Sequence, residues 1–286
     1  EGSEDMDPGK GISEEARKKM ESGIYYVAGI DSGSTSTDVV ILDQDGKIKS
    51  TMIIPTGGGA MMSAEKSLDL AVEKAGIKKE EIVRIVTTGY GRAYIESGDD
   101  SITEITCHAK GAHYLNPNVR TVIDIGGQDI KAISIDENGA VKNFLMNDKC
   151  AAGTGRFLDV MARVLNVPIE QLGPLSETSE HPATISNTCT VFAESEVISQ
   201  LSAKVPLADI AAGIHNSVAK RVAGMALRLG RPGCMAMSDG VALNTGVVRD
   251  MEREMGCPIL VDPLCQSAGA IGAAVLAYEK LSKSKE

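Results

Sequence analysis

The chain lacks tryptophan and is poor in other aromatic residues, with three Phe and six Tyr among 286 residues. So few rings argue against a base-stacking surface for single-stranded nucleic acid. Cationic residues are outnumbered, 29 Lys and Arg against 39 Asp and Glu, which gives a net charge of −10. This balance argues against nucleic-acid binding through phosphate neutralisation. No apolar run reaches the roughly 20 residues that a membrane-spanning helix needs.

The six cysteines lack the spacing of a metal motif, because no two of them form C-x₂-C. One chain therefore offers no standard four-cysteine cluster motif. Six thiols in a chain of this length are typical of reduced cytosolic proteins and are compatible with metal ligation. The polar N-terminus has no signal-peptide pattern, so we expect a cytoplasmic protein. Residues 1–22 are predicted to be a flexible tail with a short helix at Glu14–Glu21.

Two stretches of the chain share one register at an offset of 93 residues. Asp31 and Gly46 in the first stretch match Asp124 and Gly139 in the second, and the members of each pair lie 15 positions apart. Each stretch predicts a strand, a Gly-rich turn, a second strand, a tight turn and a third strand, since glycine tolerates the positive φ of hairpin turns. Two copies with identical spacing indicate two related α/β lobes.

Helices and strands alternate around and after the two copies, as apolar periodicity indicates. The predicted helices are Ala60–Ala75, Ser101–Tyr114, Thr154–Leu165, Leu207–Leu229, Val241–Met255 and Ala268–Leu281. The predicted strands outside the copies are Ile82–Thr87 and Cys234–Met237. A duplicated lobe leaves a cleft between the copies, which is a usual place for a ligand.

The Gly-rich turn of the first copy suits a phosphate group. Asp31 is followed by Gly33 and by the hydroxyls of Ser34 and Thr35. Glycine lets the backbone approach a ligand closely, and free N–H groups and hydroxyls bind phosphate oxygens. A carboxylate in the same loop suits magnesium, directly or through water.

The second copy repeats this pattern with Asp124, Gly126, Gly127 and Gln128, and a glutamine there suits the orientation of an attacking water. Each loop alone is equally compatible with a plain β-turn, but two loops at matched positions favour a nucleotide site. Neither loop matches the Walker A or G-x-G-x-x-G pattern. A third segment, Gly240–Asn244, follows a predicted strand and suits a ribose or adenine, although a plain βα turn is an equal alternative.

Cys150 and Cys189 each lie directly before a predicted helix. Helix N-termini offer unpaired N–H groups and a positive dipole end, which lower a thiol pKa and donate to ligated sulfur. Two cysteines per chain become four across a twofold axis, a set that binds a 4Fe–4S cluster or zinc. From spacing alone, two unrelated free cysteines remain the alternative. The other cysteines are predicted to be core thiols: Cys107, Cys234, Cys257 and Cys265.

Five longer segments carry a more specific signal. They are GIDSGST at 29–35, TGYGR at 88–92, DIGGQD at 124–129, NDKCAAGTGRF at 147–157 and CTVFAESE at 189–196. In this order, within residues 24–281, they resemble the activator ATPases of 2-hydroxyacyl-CoA dehydratases. The same family holds ATPase subunits of benzoyl-CoA reductases and reductases of double-cubane-cluster proteins.

The resemblance implies an α/β protein of the actin/hexokinase/acetate-kinase (ASKHA) fold, with duplicated lobes and a nucleotide cleft between them. We expect the first lobe over residues 23–115, with the C-terminal helix 268–283 packing back on it. The second lobe is expected over residues 116–267 and carries the two cysteines.

The resemblance also implies a homodimer with one 4Fe–4S cluster, whose ligands are Cys150 and Cys189 of both subunits. Asp31 and Asp124 would organise magnesium, and Gln128 the attacking water. The positions that match ATP contacts are Gly33, Ser34, Thr35, Gly126, Gly127, Gln128, Lys220, Gly240, Val241 and Asn244. The chain departs from many relatives at Asp38, where they carry Lys, and at Asp239, where they carry Gly.

The function implied is ATP-dependent one-electron donation to an iron–sulfur dehydratase or reductase, with ferredoxin or flavodoxin as the upstream donor. Hydrolysis would change the angle between the cluster-bearing helices. A small-molecule kinase of the same fold is the first alternative, but it requires a substrate-binding insertion and a base carboxylate, neither of which is obvious. A non-enzymatic nucleotide sensor with structural zinc is the second. No nucleic-acid or membrane partner is expected.

Overall fold

The structure is a computed structural model that describes residues 11–186, 189–230 and 233–283. The described residues divide into two compact units. The first unit holds those within Glu1–Pro117, Asn138–Ala140 and Ser267–Glu286, and the second holds those within Asn118–Glu137 and Val141–Gln266. In these described ranges no helix has the length and apolar character needed to cross a membrane.

Ten strands and nine helices are found in the described residues. The strands are β1 (Tyr26–Ser32), β2 (Ser36–Leu42), β3 (Ile48–Pro55), β4 (Ile82–Thr88), β5 (Asp100–Ser101), β6 (Thr121–Ile125), β7 (Ile130–Ile135), β8 (Val141–Asn147), β9 (Met235–Ser238) and β10 (Ile259–Leu260). The helices are α1 (Glu14–Glu21), α2 (Ala60–Ala75), α3 (Glu104–Leu115), α4 (Gly155–Leu165), α5 (Leu172–Glu177), α6 (Thr190–Ser202), α7 (Leu207–Ala226), α8 (Thr245–Met255) and α9 (Ala268–Lys283).

Each unit is built on one five-stranded sheet, and the two sheets have the same topology. The first has the order β3-β2-β1-β4-β5 and the second the order β8-β7-β6-β9-β10. In both, the central strand pairs antiparallel with the strand that follows it and parallel with the fourth strand. The hairpin glycines Gly46 and Gly139 have φ values of +73° and +74°. The duplication and the α/β fold class inferred from the sequence are therefore confirmed.

In the first unit, the backbones of α3 and α9 touch each other. A Cβ on Gly272 would overlap the carbonyl oxygen of Cys107 and lie 2.8 Å from the backbone nitrogen of Gly111. Glycine is needed at such a crossing because it alone has no side chain to separate the helices. The close packing fixes the face of α3 that carries His108.

The N-terminal helix α1 also packs on the first unit. The predicted helix at Glu14–Glu21 is present as α1, where Ala16 is buried and Lys19 donates to the carbonyl oxygen of Glu80. Residues 1–10 of the predicted tail lie outside the described residues. The second unit has its own apolar core, in which Ile123 and Ile130 of the sheet pack with Phe157 and Met161 of α4.

Three predicted helix boundaries are wrong by three or four residues. The helix expected over Val241–Met255 is a 3₁₀ turn at Gly240–Leu243 followed by α8, because Asn244 adopts extended dihedrals and caps the new helix. The helix expected from Ser101 begins at Glu104, since Asp100–Ser101 pair with β4 as a short strand. The helix expected to reach Leu229 ends at Ala226 and tightens into a 3₁₀ turn.

Candidate functional site

The first Gly-rich loop leaves β1 as a tight turn. The backbone N–H of Gly33 donates to the carbonyl oxygen of Ser36 at 2.9 Å, and the Thr56 hydroxyl donates to the Gly33 carbonyl at 2.8 Å. Ser34 and Thr35 at the tip are exposed. The loop is thus held at its base while its hydroxyls stay exposed.

Asp31 lies at the end of β1 in a narrow space. A Cβ on Gly89 would lie 2.5 Å from its Oδ1, and a Cβ on Gly269 would lie 2.9 Å from its Cγ. His108 on α3 places Nε2 3.5 Å from Asp31 Oδ2. The Asp31 side chain keeps 15% of its surface exposed. This carboxylate is therefore oriented by close backbone packing and a buried imidazole, and it remains accessible to a cation.

The second Gly-rich loop repeats the turn of the first. The N–H of Gly126 donates to the carbonyl oxygen of Asp129 at 3.0 Å, at the positions matching Gly33 and Ser36. The loop's carbonyls also receive the first N–H groups of α4, Gly155 to Gly126 at 2.9 Å and Arg156 to Gly127 at 3.0 Å. Loop and helix therefore form one hydrogen-bonded piece, with Gln128 exposed at the tip.

Asp124 differs from Asp31 in its surroundings, although the two occupy matching positions. Asp124 is fully buried, accepts a hydrogen bond from Ser238 Oγ at 2.6 Å and pairs with Lys131 Nζ at 3.2 Å. Lys131 also pairs with Asp129 at 2.8 Å. The two copies thus carry an aspartate at the same position in different surroundings, because only the second copy has a buried lysine on the neighbouring strand.

The position that matches Lys131 in the first copy is Asp38, 93 residues earlier. In the strand register, Asp38 on β2 lies opposite Asp31 on β1, just as Lys131 on β7 lies opposite Asp124 on β6. Asp38 is 4% exposed. The departure at Asp38 therefore places a second carboxyl group beside the first Gly-rich loop, where a cation would be favoured.

The Gly240–Asn244 turn adjoins the second loop. Asp239 Oδ2 lies 3.2 Å from where a Cβ on Gly126 would be, and Val241 packs 3.5 Å from the corresponding point on Gly155. Asp239 has φ +67° and ψ −176°, a region that residues other than glycine rarely occupy, and its Oδ1 accepts from the Gly240 N–H at 2.6 Å. The second unit therefore brings together the loop and the turn that the sequence singled out.

Asn244 is held by both ends of its amide. Its Oδ1 accepts from the N–H groups of Gly246 and Val247 at 3.0 and 3.1 Å, so its Nδ2 must donate to His215 Nε2 at 3.2 Å. This arrangement assigns the His215 proton to Nδ1. Burial, the largest cause, lowers the pKa of His215 to about 4, while Asp250 acts in the opposite direction. Lys220, on the same helix α7, is exposed.

The cysteines predicted as metal ligands are both accessible. Cys189 is the residue before α6, where it occupies the cap position, and it is exposed. Cys150 is partly exposed. The prediction that Cys150 lies directly before a helix is wrong: a turn intervenes, closed by the Thr154 N–H to the Ala151 carbonyl, and α4 begins at Gly155.

The prediction that the other cysteines are core thiols holds for two of them. Cys107 and Cys265 are buried, and burial raises their pKa values to about 12 and about 11. Cys234 is exposed, because β9 begins one residue later than expected, and Cys257 is partly exposed. In the described part of the chain, no group of three or more His, Cys, Asp or Glu side chains is positioned to hold a metal ion.

A cavity of about 610 Å³ opens beside the first Gly-rich loop. Its lining residues are Ser32, Gly33, Ser34, Thr56, Gly58, Gly59, Ala60, Met61, Met62, Tyr90, Gly91 and Tyr94. These lining residues include no ionisable acid or base other than the tyrosines. No carboxylate among the described residues lines this cavity.

Sequence reasoning missed two buried residues of this region, His108 and Lys131. His108 gives no signal in one sequence, since a histidine on an apolar helix face looks like any core residue. Lys131 had a usable signal, because the 93-residue offset pairs it with Asp38 and each lies seven positions after a loop aspartate.

The two sheets and the paired glycine loops define a protein of the actin/hexokinase fold class. A ROK hexokinase from Thermus thermophilus has the same fold, with a TM-score of 0.52, 15% identity and coverage of 90% of this chain and 99% of its own. A model of the BadF/BadG/BcrA/BcrD ATPase family matches residues 28–277. The chain belongs to this ATPase family.

Several members similar to this chain are dehydratase activators. The activator of lactoyl-CoA dehydratase from Anaerotignum propionicum is 49% identical over 258 residues, 90% of this chain and 99% of its own. The crystal structure of Acidaminococcus fermentans (R)-2-hydroxyglutaryl-CoA dehydratase component A matches with a TM-score of 0.87 and 48% identity, over 90% and 99%. The ADPNP-bound 2-hydroxyisocaproyl-CoA dehydratase activator from Clostridium difficile matches with a TM-score of 0.86 and 46% identity, over 91% and 97%.

Proposed function

We propose that this ATPase is an activator that uses ATP hydrolysis to deliver single electrons to a partner 2-hydroxyacyl-CoA dehydratase or a related reductase. The similarity to three dehydratase activators over about nine-tenths of the chain supports the partner class. The observation that carries the electron-transfer part is the pair of accessible thiols, Cys150 and Cys189, in one unit. A ferredoxin or flavodoxin is the proposed upstream donor.

The two thiols fit a 4Fe–4S cluster shared between two copies of the chain. The described residues of one chain offer no complete metal site, and we propose that a second copy supplies the other ligands. Cys189 caps α6, whose first N–H groups are suited to donating to a ligated sulfur. Val191 and Phe192, just after it, expose 66% and 62% of their surface. Apolar exposure of this kind beside a ligand favours a subunit contact.

When bound, such a cluster supplies reversible one-electron transfer at a potential that its surroundings set. The chain's contribution is to bind and hydrolyse ATP. Asp31 is the proposed group for magnesium, and Asp124 organises the second loop through Lys131 and Ser238. Gln128, exposed at the loop tip, is proposed to orient the attacking water. The Gly240 turn is proposed to contact the adenosine.

A short hydrogen-bonded path supports coupling between the nucleotide and the cysteines. The second loop receives the N–H groups of Gly155 and Arg156, and the same α4 N-terminus is joined to Cys150 by the Ala151–Thr154 turn. A displacement of the loop therefore moves the α4 N-terminus and the Cys150 turn with it. We propose that this movement changes the orientation of the cysteine-bearing segments during the ATPase cycle.

The proposal is tested by anaerobic purification with iron and sulfide counts and size-exclusion chromatography. Cys150→Ser and Cys189→Ser are each expected to lose iron and to weaken the dimer. Cys234→Ser is the matched control, since Cys234 is also an exposed thiol of the second unit, and it should keep both. Full iron content in either ligand variant, or a colourless wild-type monomer, refutes the proposal.

A kinase of the same fold is the alternative, and the similarity to three dehydratase activators does not favour it. The two are separated by product analysis. We expect ATP turnover by the reduced protein to release inorganic phosphate in an amount equal to ADP without any added acceptor. Phosphate transfer to a sugar or acid would contradict the activator function.

A further inference from the structure

A second cavity, of about 410 Å³, lies in the second unit between the C-terminal half of α7 and the strands β7 and β8. It contains two arginines, Arg221 and Arg228. The other lining residues are uncharged: Ile130, Leu145, Met146, Asn147, Val222, Gly224 and Met225. A cavity of this size matches those that hold small organic ligands. Its only formal charges are therefore positive, on a chain whose net charge is −10.

Neither arginine is neutralised by the described residues. No ion pair or side-chain hydrogen bond to Arg221 or Arg228 is found there, and Arg221 Nε is buried without a partner. A buried, unpaired guanidinium N–H is costly unless a ligand or water satisfies it. Arginines that stabilise a fold normally pair with a carboxylate, as Arg84 does with Asp100 at 2.6 Å. This cost falls on Arg221, whose Nε is buried, while Arg228 is exposed and leaves its charge available at the same cavity. The unsatisfied Arg221 beside a second unpaired arginine therefore indicates an anionic ligand.

The α7 side of the cavity carries both arginines and Gly224. Positions 221, 224 and 228 lie on one face of α7 and its 3₁₀ extension, and a Cβ on Gly224 would meet nothing within 4 Å. The aliphatic part of the Arg221 side chain packs against the Ala151–Thr154 turn, with Cδ 3.2 Å from where a Cβ on Gly153 would be. Gly224 lies between the two arginine positions along the helix and lines the same cavity.

We infer that Arg221 and Arg228 form a binding site for a phosphoryl group of a small molecule. Guanidinium groups bind phosphoryl oxygens through paired, charge-assisted hydrogen bonds, and two of them suit a dianion better than a single carboxylate. The apolar wall of Ile130, Leu145 and Met146 leaves room for an uncharged portion of the ligand. This site is separate from the phosphate loops and does not depend on the proposed electron-transfer function.

The test is isothermal titration of the full-length protein with pyrophosphate and with phenyl phosphate. Arg221→Gln and Arg228→Gln are each expected to weaken binding at least tenfold. Gly224→Met fills the open space while keeping both arginines, and it should weaken binding to the same degree. Arg163→Gln on α4 removes one charge from an exposed arginine elsewhere in the unit and should leave the affinity unchanged.

The two probes distinguish the source of the phosphoryl group. Tighter binding of phenyl phosphate assigns the site to an organic phosphate, and tighter binding of pyrophosphate assigns it to an inorganic one. Three results overturn the inference: no binding of either probe, equal affinity in the Arg221→Gln/Arg228→Gln double variant, or an equal loss in Arg163→Gln. Because iron content and ATPase activity are not used, failure here leaves the proposed function untouched.

Discussion

Mild acid is expected to destabilise the second unit through a single histidine, His215. Its ring lies against the α8 N-terminus, and its Nε2 accepts a hydrogen bond from Asn244 Nδ2. Protonation would put a hydrogen on Nε2, facing the Asn244 Nδ2 donor, and would place a positive charge in a buried site. Burial already holds the pKa of His215 at about 4, below its ordinary value of 6.5. The unfolded chain therefore binds this proton more tightly than the folded chain does.

The sign and size follow from the two pKa values. Stability from this group is fully present above about pH 6.5 and is lost as the pH falls toward 4. Between about pH 7.5 and about pH 5, the difference in proton binding lowers the free energy of unfolding by about 2 kcal/mol. The loss approaches about 3 kcal/mol once the folded state is also protonated. Urea unfolding at a series of pH values measures it directly.

The matched variant is His215→Gln. A glutamine oxygen can accept the Asn244 hydrogen bond, but the side chain does not titrate. We expect the variant to be less stable than wild type at neutral pH, because it does not fill the imidazole's space, yet to lose about 2 kcal/mol less between the same two pH values. Parallel pH profiles for wild type and variant would show that His215 is not the group responsible.

Three further substitutions test the packing and the charges. Gly272→Ala places a Cβ on the Cys107 carbonyl and should lower the free energy of unfolding by about 1–3 kcal/mol, a loss that an unchanged urea midpoint would contradict. Lys131→Met leaves Asp124 buried without its cation. We expect it to lower the free energy of unfolding by about 3–5 kcal/mol at neutral pH in the same urea measurement. A loss below about 1 kcal/mol would argue against a charged Asp124. Asp239→Gly removes a carboxylate and a strained φ beside the second loop, so ADP should bind more tightly by calorimetry, and weaker binding would show that the carboxylate assists the nucleotide.

The two hairpin glycines show how the duplicated fold could be predicted from one sequence. Hairpin turns need glycine at positive φ, so Gly46 and Gly139 had to recur with the same spacing from Asp31 and Asp124 if the lobes are duplicated. Strands and helices between them followed from apolar periodicity. The turns at Gly33 and Gly126 were predictable for the same reason, because a local backbone requirement leaves a local sequence pattern.

Boundaries were less predictable where a side chain decided them. The break at Asn244 depends on its oxygen accepting two N–H groups, and a continuous helix over Val241–Met255 satisfied the apolar pattern equally well. Cys150 was placed directly before a helix that begins later. The turn after it contains Gly153 at φ +82°, a conformation that interrupts a helix, and the extended Thr154 then caps α4, which begins at Gly155.

By itself, the sequence determined the duplicated α/β architecture, the two loops and the pair of candidate ligand cysteines, since each is encoded by residues close together in the chain. Tertiary structure alone decided that Asp124 is buried against Lys131 and Ser238 while Asp31 meets His108, and that Arg221 and Arg228 share a cavity without an acid. Burial and ion pairing depend on which distant segments come together, and periodicity and spacing do not specify that.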